Sequence, residues 1–441
     1  VFDLLNYTGN TDVNSASIGY TAAISWGDPE ETELTLGNDL RVVTQALNEF
    51  GSGRIGANIF QNANSPIPKS QSIDPGIFLA AQSQVRERLK IRAGLRADWI
   101  HTEVLENPAN LQTLGNYTNI FPIAVFNSQP TFAEIVGTEN WNQSFSLVSG
   151  YLSAEHTLNE EWTMLSGAGV GRRPPSLTEL YAAQPFMFLL QNGLNTVTGD
   201  PLLQDETFTQ LDIGLQYQSE KWNGGVNAFH TWANNYITFE NLSTDANQVN
   251  LKYVNTDLAT FAGCEGFMQY QATEFMTPFM TISYVDGRDR TRNGNFATRQ
   301  VNPQALVVSS FRDPTQVRGA FSGIAGGSEE ALPGITPFES RLGLRFQTPQ
   351  ETGQLGAEIS ARIVASQTRV ATSLLEQTTS GFTLWDMRLY YRPRPKALFY
   401  GGIENLTDIT YREHLDFRNR NNITGIFQPG ANFSFGAQLD F

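Results

Sequence analysis

The sequence holds a single cysteine, Cys264, and 4 histidines among 441 residues. One thiol excludes an intrachain disulfide, and so few Cys and His exclude a Cys/His zinc constellation. Cys264 reads as a small buried or lipid-facing strand residue. Charge is also scarce, at 17% of residues against about 25% in a typical soluble domain, while apolar residues make up 40%. Part of the surface must therefore meet something other than water. Long apolar runs are missing too: the longest, GIFLAA at 76–81, falls far short of the about 20 residues of a helical span. A membrane protein with this sequence would have to cross as strands. Basic residues number 29 against 44 acidic ones, and the net charge of -15 excludes a nucleic-acid partner that tracks phosphates. The acidic excess otherwise fits solvated loops. The opening VFDLLNYTGN has neither the basic start nor the apolar core of a secretion signal.

What is present in abundance is alternation. The last stretch, ANFSFGAQLDF (431–441), sets Phe433, Phe435, Ala437, Leu439 and Phe441 against small or polar neighbours, the two-residue period of a strand with two unlike faces. SASIGYTAAISW (15–26) and LKIRAGLRADW (89–99) repeat it, as do QLDIGLQYQ (210–218), QLGAEISARI (354–363) and LWDMRLYYR (384–392). Alternation alone does not say which face is wet. Length and polarity do: these runs reach ten residues or so, the tilted span of a bilayer, whereas soluble strands peak near about 5 to 6. Arg92, Arg96, Arg341, Arg345, Glu358, Arg362, Asp386 and Arg388 would then line a wet, charged lumen, and Tyr20, Trp26, Trp99, Tyr217, Trp385 and Tyr391 an outer girdle.

The connections alternate as well. Tight turns are expected at 27–31, 86–90, 158–162, 219–223, 276–279, 348–353 and 392–397. Between them lie long polar segments at about 47–75, 105–142, 171–205, 286–337 and 406–430, more than a compact soluble domain carries. Short turns on one side and long loops on the other mark an outer-membrane barrel, with the short side periplasmic. The expected fold is all-β, a transmembrane antiparallel β-barrel with about fifteen strands, where such barrels prefer an even number. The first strand is placed at 13–25, running inward. Residues 1–12 are assigned to the tail of an extracellular loop, and 13–441 to the C-terminal part of the barrel.

Three stretches resemble the TonB-dependent outer-membrane receptors. In VGRRPPSLTELYAA (170–183), Arg173, Pro175, Ser176, Glu179, Leu180 and Tyr181 match the family's Arg-Ala-Pro-Ser-x-x-Glu-Leu-Tyr run; Pro174 replaces the Ala, and Arg172 stands where an aromatic or small residue is usual. GDPLLQDETFTQLDIGLQY (199–217) is similar to the family's Gly-Asn-Pro-x-Leu-x-Pro-Glu-x-Ser segment, with Asp200 for Asn and Asp205 for Pro. The most specific signal is GIENLTDITYREHL (402–415) followed by QPGANFSFGAQLDF, which pairs Glu-Asn-Leu-x-Asp-x-x-Tyr with Pro-Gly and a final aromatic strand. The resemblance implies that Phe441 belongs to the signal read by the barrel-assembly machinery, and that the last strand closes on the first. It also implies a barrel of about 22 strands around an N-terminal plug; the fifteen strands here would be the later ones, with the plug not in this sequence.

The function so implied is energised import of a scarce, bulky nutrient of the siderophore-iron, cobalamin or glycan class. It would be driven by the TonB-ExbB-ExbD complex, in a monomer surrounded by lipopolysaccharide and outer-membrane lipid, with no cofactor and no chemistry on the cargo. The alternative is a passive porin or channel, which shares every alternation. An outer-membrane enzyme would need a base; His101 with Glu103, or His414 beside Glu413, could be drafted, but no nucleophile arrangement accompanies them. For substrate contact the candidates are Arg172, Arg173, Glu179 and Tyr181, the arginines toward an anionic ligand. The loop clusters Phe186, Met187 and Phe188, and Gln191, Asn192 and Asn195, could equally grip cargo or pack between loops.

Overall fold

The computed structural model describes residues 8–55, 58–106, 138, 140–191, 194–241, 250–291, 329–349, 353–417 and 426–440. In chain order its strands are β1 (Thr8–Asp28), β2 (Thr32–Ile55), β3 (Asn58–Arg86), β4 (Leu89–Val104), β5 (Gln143–Thr157), β6 (Trp162–Arg173), β7 (Ala183–Phe188), β8 (Leu194–Thr198), β9 (Glu206–Gln218), β10 (Trp222–Asn241), β11 (Asn250–Tyr270), β12 (Met276–Asp289), β13 (Glu330–Ala331), β14 (Glu339–Gln347), β15 (Gln354–Val364), β16 (Phe382–Arg394), β17 (Ala397–Glu404) and β18 (Asn432–Leu439). A short helix, α1 (Leu177–Tyr181), follows β6. All eighteen strands join one sheet. With β7, β8 and β13 set aside as loop elements, fifteen form an antiparallel meander in which each pairs with the next along the chain.

Sequence and structure agree on the inversion of the two faces. Ile18, Leu95, Leu355 and Leu439 are exposed at 76%, 62%, 53% and 53%, as are Tyr20, Trp26, Trp99, Trp385 and Tyr391. The opposite face carries paired charges. Arg92 meets Glu155 at 3.3 Å, Arg96 sits 2.6 Å from both Asp39 and Asp98, Arg341 reaches Asp386 at 2.9 Å, and Arg345 reaches Glu358 at 3.0 Å. Arg362 bridges Glu339 and Glu413 at 2.7 and 2.5 Å. Apolar side chains outside and ion pairs inside suit a wall with hydrocarbon behind it and water before it.

Seven short turns link the strands at one end, and six lie where expected. Gly27 has φ +99°, and a Cβ there would stand 2.0 Å from Thr32 O, so this turn requires glycine. The seventh turn falls at 271–275, and Met276–Phe279 instead opens β12. Pro278 deceived because proline normally breaks ladders; it lies just beyond the last β11–β12 pair, Gln269 with Phe279, where no N–H is needed. Most of the long loop expected at 47–75 is a hairpin extension: β2 and β3 stay paired out to Ile55 and Asn58. Two of its prolines, Pro66 and Pro68, fall at the two register shifts of this ladder, which spare it the missing donors. Likewise β1 begins at Thr8, inside the stretch assigned to a loop, because its ladder with β2 outlasts the apolar pattern. Among the described residues β1 pairs only with β2 and β18 only with β17. Phe441 lies outside the described residues.

The 402–431 motif has a clear local cause. Asn405 and Asp408 both adopt left-handed backbone, φ 51° each. The Asn405 side chain accepts from Ile409 N at 3.0 Å and donates to Ile409 O at 2.8 Å, and Asp408 Oδ1 accepts from Ala431 N at 2.9 Å. A Cβ on Gly430 would stand 2.2 Å from that same Asp408 oxygen. Asn, Asp and Gly are thus fixed together, joining the end of β17 to the start of β18.

Candidate functional site at the loop end of the barrel

The loop between β6 and β9 is built from its charges. Ser176 caps α1: its Oγ accepts from Glu179 N at 3.2 Å while Glu179 Oε2 accepts from Ser176 N at 2.6 Å, a reciprocal capping box. The Glu179 carboxylate also takes both terminal nitrogens of Arg173, at 2.9 and 3.1 Å. The Arg173 Nε in turn donates to Glu206, which is 1% exposed and accepts from Ile237 N at 2.7 Å. One guanidinium therefore ties the end of β6 to α1 and to the start of β9. Truncating it would leave Glu206 buried without its countercharge, which costs about 3–5 kcal/mol.

Tyr181 sits at the centre of the apolar cluster this loop forms with Leu177, Leu180, Val197, Ile237, Leu251 and Leu374. Its hydroxyl donates to Trp141 O at 2.5 Å and lies 3.0 Å from Thr102 Oγ1. Burial pushes its pKa up to about 12. Gln45 Nε2 donates to Thr178 Oγ1 at 3.1 Å, so α1 touches inward positions of β2 and β4 as well as β10 and β11. Loop packing over several strands makes a floor at this end of the wall.

A second node joins other loops. Gln191 accepts from Gln377 N at 2.8 Å and donates to Gln377 O at 3.1 Å and to His414 O. His414 Nδ1 stands 3.0 Å from Thr379 Oγ1, and its Nε2 is 3.3 Å from Glu376 Oε1 at an angle that makes no hydrogen bond. Glu376 also accepts from Ala371 N at 2.6 Å and Gly334 N at 2.8 Å.

Of the four candidate contact residues, the structure brings Arg173 and Glu179 into one cluster and places Tyr181 beside it. Arg172 is separate. It belongs to the outward face of β6 with Val170 and pairs with Asp205 through Nε at 2.9 Å and Nη2 at 2.6 Å. Its partner is another departure from the family pattern: an Arg in place of an aromatic or small residue meets an Asp in place of a proline. Sequence reading misses Glu206, Glu376 and Asn255, whose partners are distant along the chain, while Gln191, for which packing between loops is one of two expectations, does pack between loops. His101 packs its Nδ1 3.0 Å from Ser144 Oγ, and Glu413 engages Arg362 rather than His414, so neither His–Glu pairing drafted as a base is formed. Asn192 and the side chains of Phe186, Met187, Phe188 and Asn195 lie outside the described residues.

Comparison with known proteins matches this architecture. Residues 2–406 match the family model "TonB dependent receptor-like, beta-barrel". Among solved structures, the chain resembles the copper transporter OprC with TM-score 0.71 at 19% identity, over 98% of this chain and 57% of that one. It also resembles the ferric yersiniabactin uptake receptor FyuA of Yersinia pestis, with TM-score 0.62, 12% identity and 99% against 56% coverage. The unliganded ferric citrate transporter FecA gives TM-score 0.60, 13% identity and 99% against 55% coverage. At such identities these likenesses show the fold, and the chain spans little more than half the length of each. No curated protein sequence matches. The match over most of the chain places this protein, an outer-membrane β-barrel, in the TonB-dependent receptor family.

Proposed function

We propose that this barrel belongs to an importer that takes up a scarce, bulky nutrient with energy supplied through TonB, ExbB and ExbD. The observation that carries the reading is the family match across residues 2–406. The locked loop floor supports it: Arg173, Glu179 and Tyr181 are spent on holding α1 in place, as a receptor that must present a defined surface requires, whereas a freely conducting pore has no need of it. Arg173, Glu179 and Tyr181 then position the surface that meets cargo, while Arg172, paired with Asp205 on the outward side, holds the end of β6 to the segment before β9. Siderophore-iron, copper, cobalamin and glycan cargoes all fit this reading; the similar structures are named for copper, ferric yersiniabactin and ferric citrate.

The full-length protein in planar bilayers separates import from passive flow. A plugged, energised importer gives no steady conductance, and uptake of ferric citrate, copper(II), cyanocobalamin or maltodextrin by cells expressing it stops when a protonophore collapses the gradient. A stable ohmic conductance, or uptake indifferent to the protonophore, would establish the porin alternative instead.

A further inference from the structure

The outward face of β12 carries a feature that import does not use. From the turn end, its outward residues are Met276, Pro278, Met280, Ile282, Tyr284, Asp286 and Arg288, with Arg290 just beyond the strand. The unbroken ladders with β11 and β14 fix this parity. Met276 to Tyr284 climbs about 20 Å along the barrel axis, at about 3.3 Å per residue and a tilt near 40°. That is close to the height of the apolar band of an outer-membrane barrel, about 25 Å. The change from apolar to aromatic to charged therefore falls where hydrocarbon gives way to headgroups at the outer surface. Trp232, on the neighbouring outward row through Thr260, belongs to the same boundary.

Above that boundary three guanidiniums converge. Arg288 Nε donates to Asp286 at 2.8 Å and its Nη1 to Glu329 at 2.8 Å. Arg290 Nε donates to Thr260 Oγ1 at 2.9 Å, and its Nη1 to Glu329. Arg369, reaching over from the β15–β16 loop, contacts the Tyr284 hydroxyl, lies 4.9 Å above that ring and sits 3.1 Å from Asp286. Opposite them on β11 the outward residues are small, Ala262 and Thr260. Three positive charges face two negative ones in a protein of net charge -15. Each side chain keeps about a third of its surface open, and Nη2 of each guanidinium has no protein hydrogen-bond partner among the described residues.

We propose that Arg288, Arg290 and Arg369 form an outward-facing seat for a phosphorylated headgroup of an outer-leaflet lipid, whose chains lie along Met280 and Ile282 below it. Shared carboxylates, Glu329 between Arg288 and Arg290 and Asp286 between Arg288 and Arg369, hold the three guanidiniums in one patch, and planar guanidinium matches phosphate geometry. Tyr284 and Arg369 mark the level at which the headgroup meets the chains. The seat needs only the barrel's place in the outer membrane, whatever its cargo.

The test is lipid retention by the protein purified from outer membranes in mild detergent, read as phosphorylated lipid per barrel by mass spectrometry and phosphate assay. R288Q/R290Q/R369Q should lower retention by about fivefold for each arginine that contributes, in barrels that still show heat-modifiable migration. If the triple variant does not assemble, R290Q alone, altered beyond the end of the strand, should still lower retention measurably. Equal lipid on wild type and R290Q, or on wild type and an assembled triple variant, overturns the proposal. So does removal of the lipid by inorganic phosphate as complete as that caused by the substitutions, since the site would then be a general anion site and not a seat for a lipid.

Discussion

At the scale of single residues, Tyr181 and Arg172 make different kinds of claim. Tyr181 is wholly buried with its hydroxyl committed to Trp141 O and Thr102, so Tyr181→Phe strands a buried acceptor and should cost about 1–2 kcal/mol in urea unfolding from lipid vesicles. Its raised pKa has a defined sign. The neutral phenol is favoured in the folded state, so the contribution is complete below about pH 10, the unfolded value. It is lost as pH rises toward about 12. Tyr181→Phe should therefore remove part of the alkaline destabilisation over that window; an unchanged alkaline slope would show that this tyrosine is not the group responsible. Arg172 and Asp205 form a half-exposed pair. A double-mutant cycle with Arg172→Ala and Asp205→Ala should give a coupling of about 0.5–1 kcal/mol that shrinks with salt. Additive effects would mean that these two of the departures from the family pattern are energetically independent.

At the scale of elements, the sheet contains a device that needs register to be seen. Among the described residues, six inward glycines stand directly across from an aromatic ring that closely overlies them: Gly37 with Phe78, Gly94 with Tyr151, Gly263 with Phe229, Gly343 with Phe279, Gly356 with Tyr390, and Gly436 with Tyr400. In every case a Cβ on the glycine would lie within 2.7 Å of the ring. The ring occupies the space that a side chain on the glycine would fill. Gly356→Val should displace Tyr390 and cost about 1–3 kcal/mol by overpacking. Adding Tyr390→Ala should recover much of that loss, and failure to recover it would locate the strain in the backbone rather than the ring. This is also where the sequence was least transparent. Strands such as 354–363 and 384–392 declared themselves because every second residue is apolar, and the meander followed from turns of a few residues. The pairing of Gly356 with Tyr390, or of Arg173 with Glu206, depends on which residue faces which across a ladder, and alternation is unchanged by a shift of two. Proline misled twice for a related reason: whether Pro278 or Pro66 breaks a strand depends on whether a neighbour asks for its missing donor, which only the partner strand reveals.

At the scale of the whole molecule, one pair of adjacent residues distinguishes this barrel from a soluble one. Leu344 and Arg345 are neighbours on β14 and point to opposite sides of the wall, Leu344 exposed at 38% and Arg345 paired with Glu358 at 3.0 Å and lying 5.1 Å from the Phe279 ring. In a soluble barrel the exposed leucine would be the residue that tolerates a charge. With hydrocarbon outside, the order reverses. Leu344→Arg, on the turn-side half of the apolar band, should cost about 1–3 kcal/mol. Arg345→Gln faces a solvated wall, where a partly exposed ion pair is worth about 1 kcal/mol or less. The folded fraction of each variant in lipid vesicles, followed by heat-modifiable migration across a urea series, ranks the two directly. Leu344→Arg should unfold at clearly lower urea than Arg345→Gln, and the gap should narrow when the barrel is held in a detergent whose micelle lets the arginine reach water. The detergent comparison matters because a packing defect would persist in either medium, whereas the cost of burying a cation in hydrocarbon falls when that hydrocarbon thins. If Leu344→Arg matched Arg345→Gln in vesicles, the outer wall would have to face water and the assignment of the two faces would be reversed.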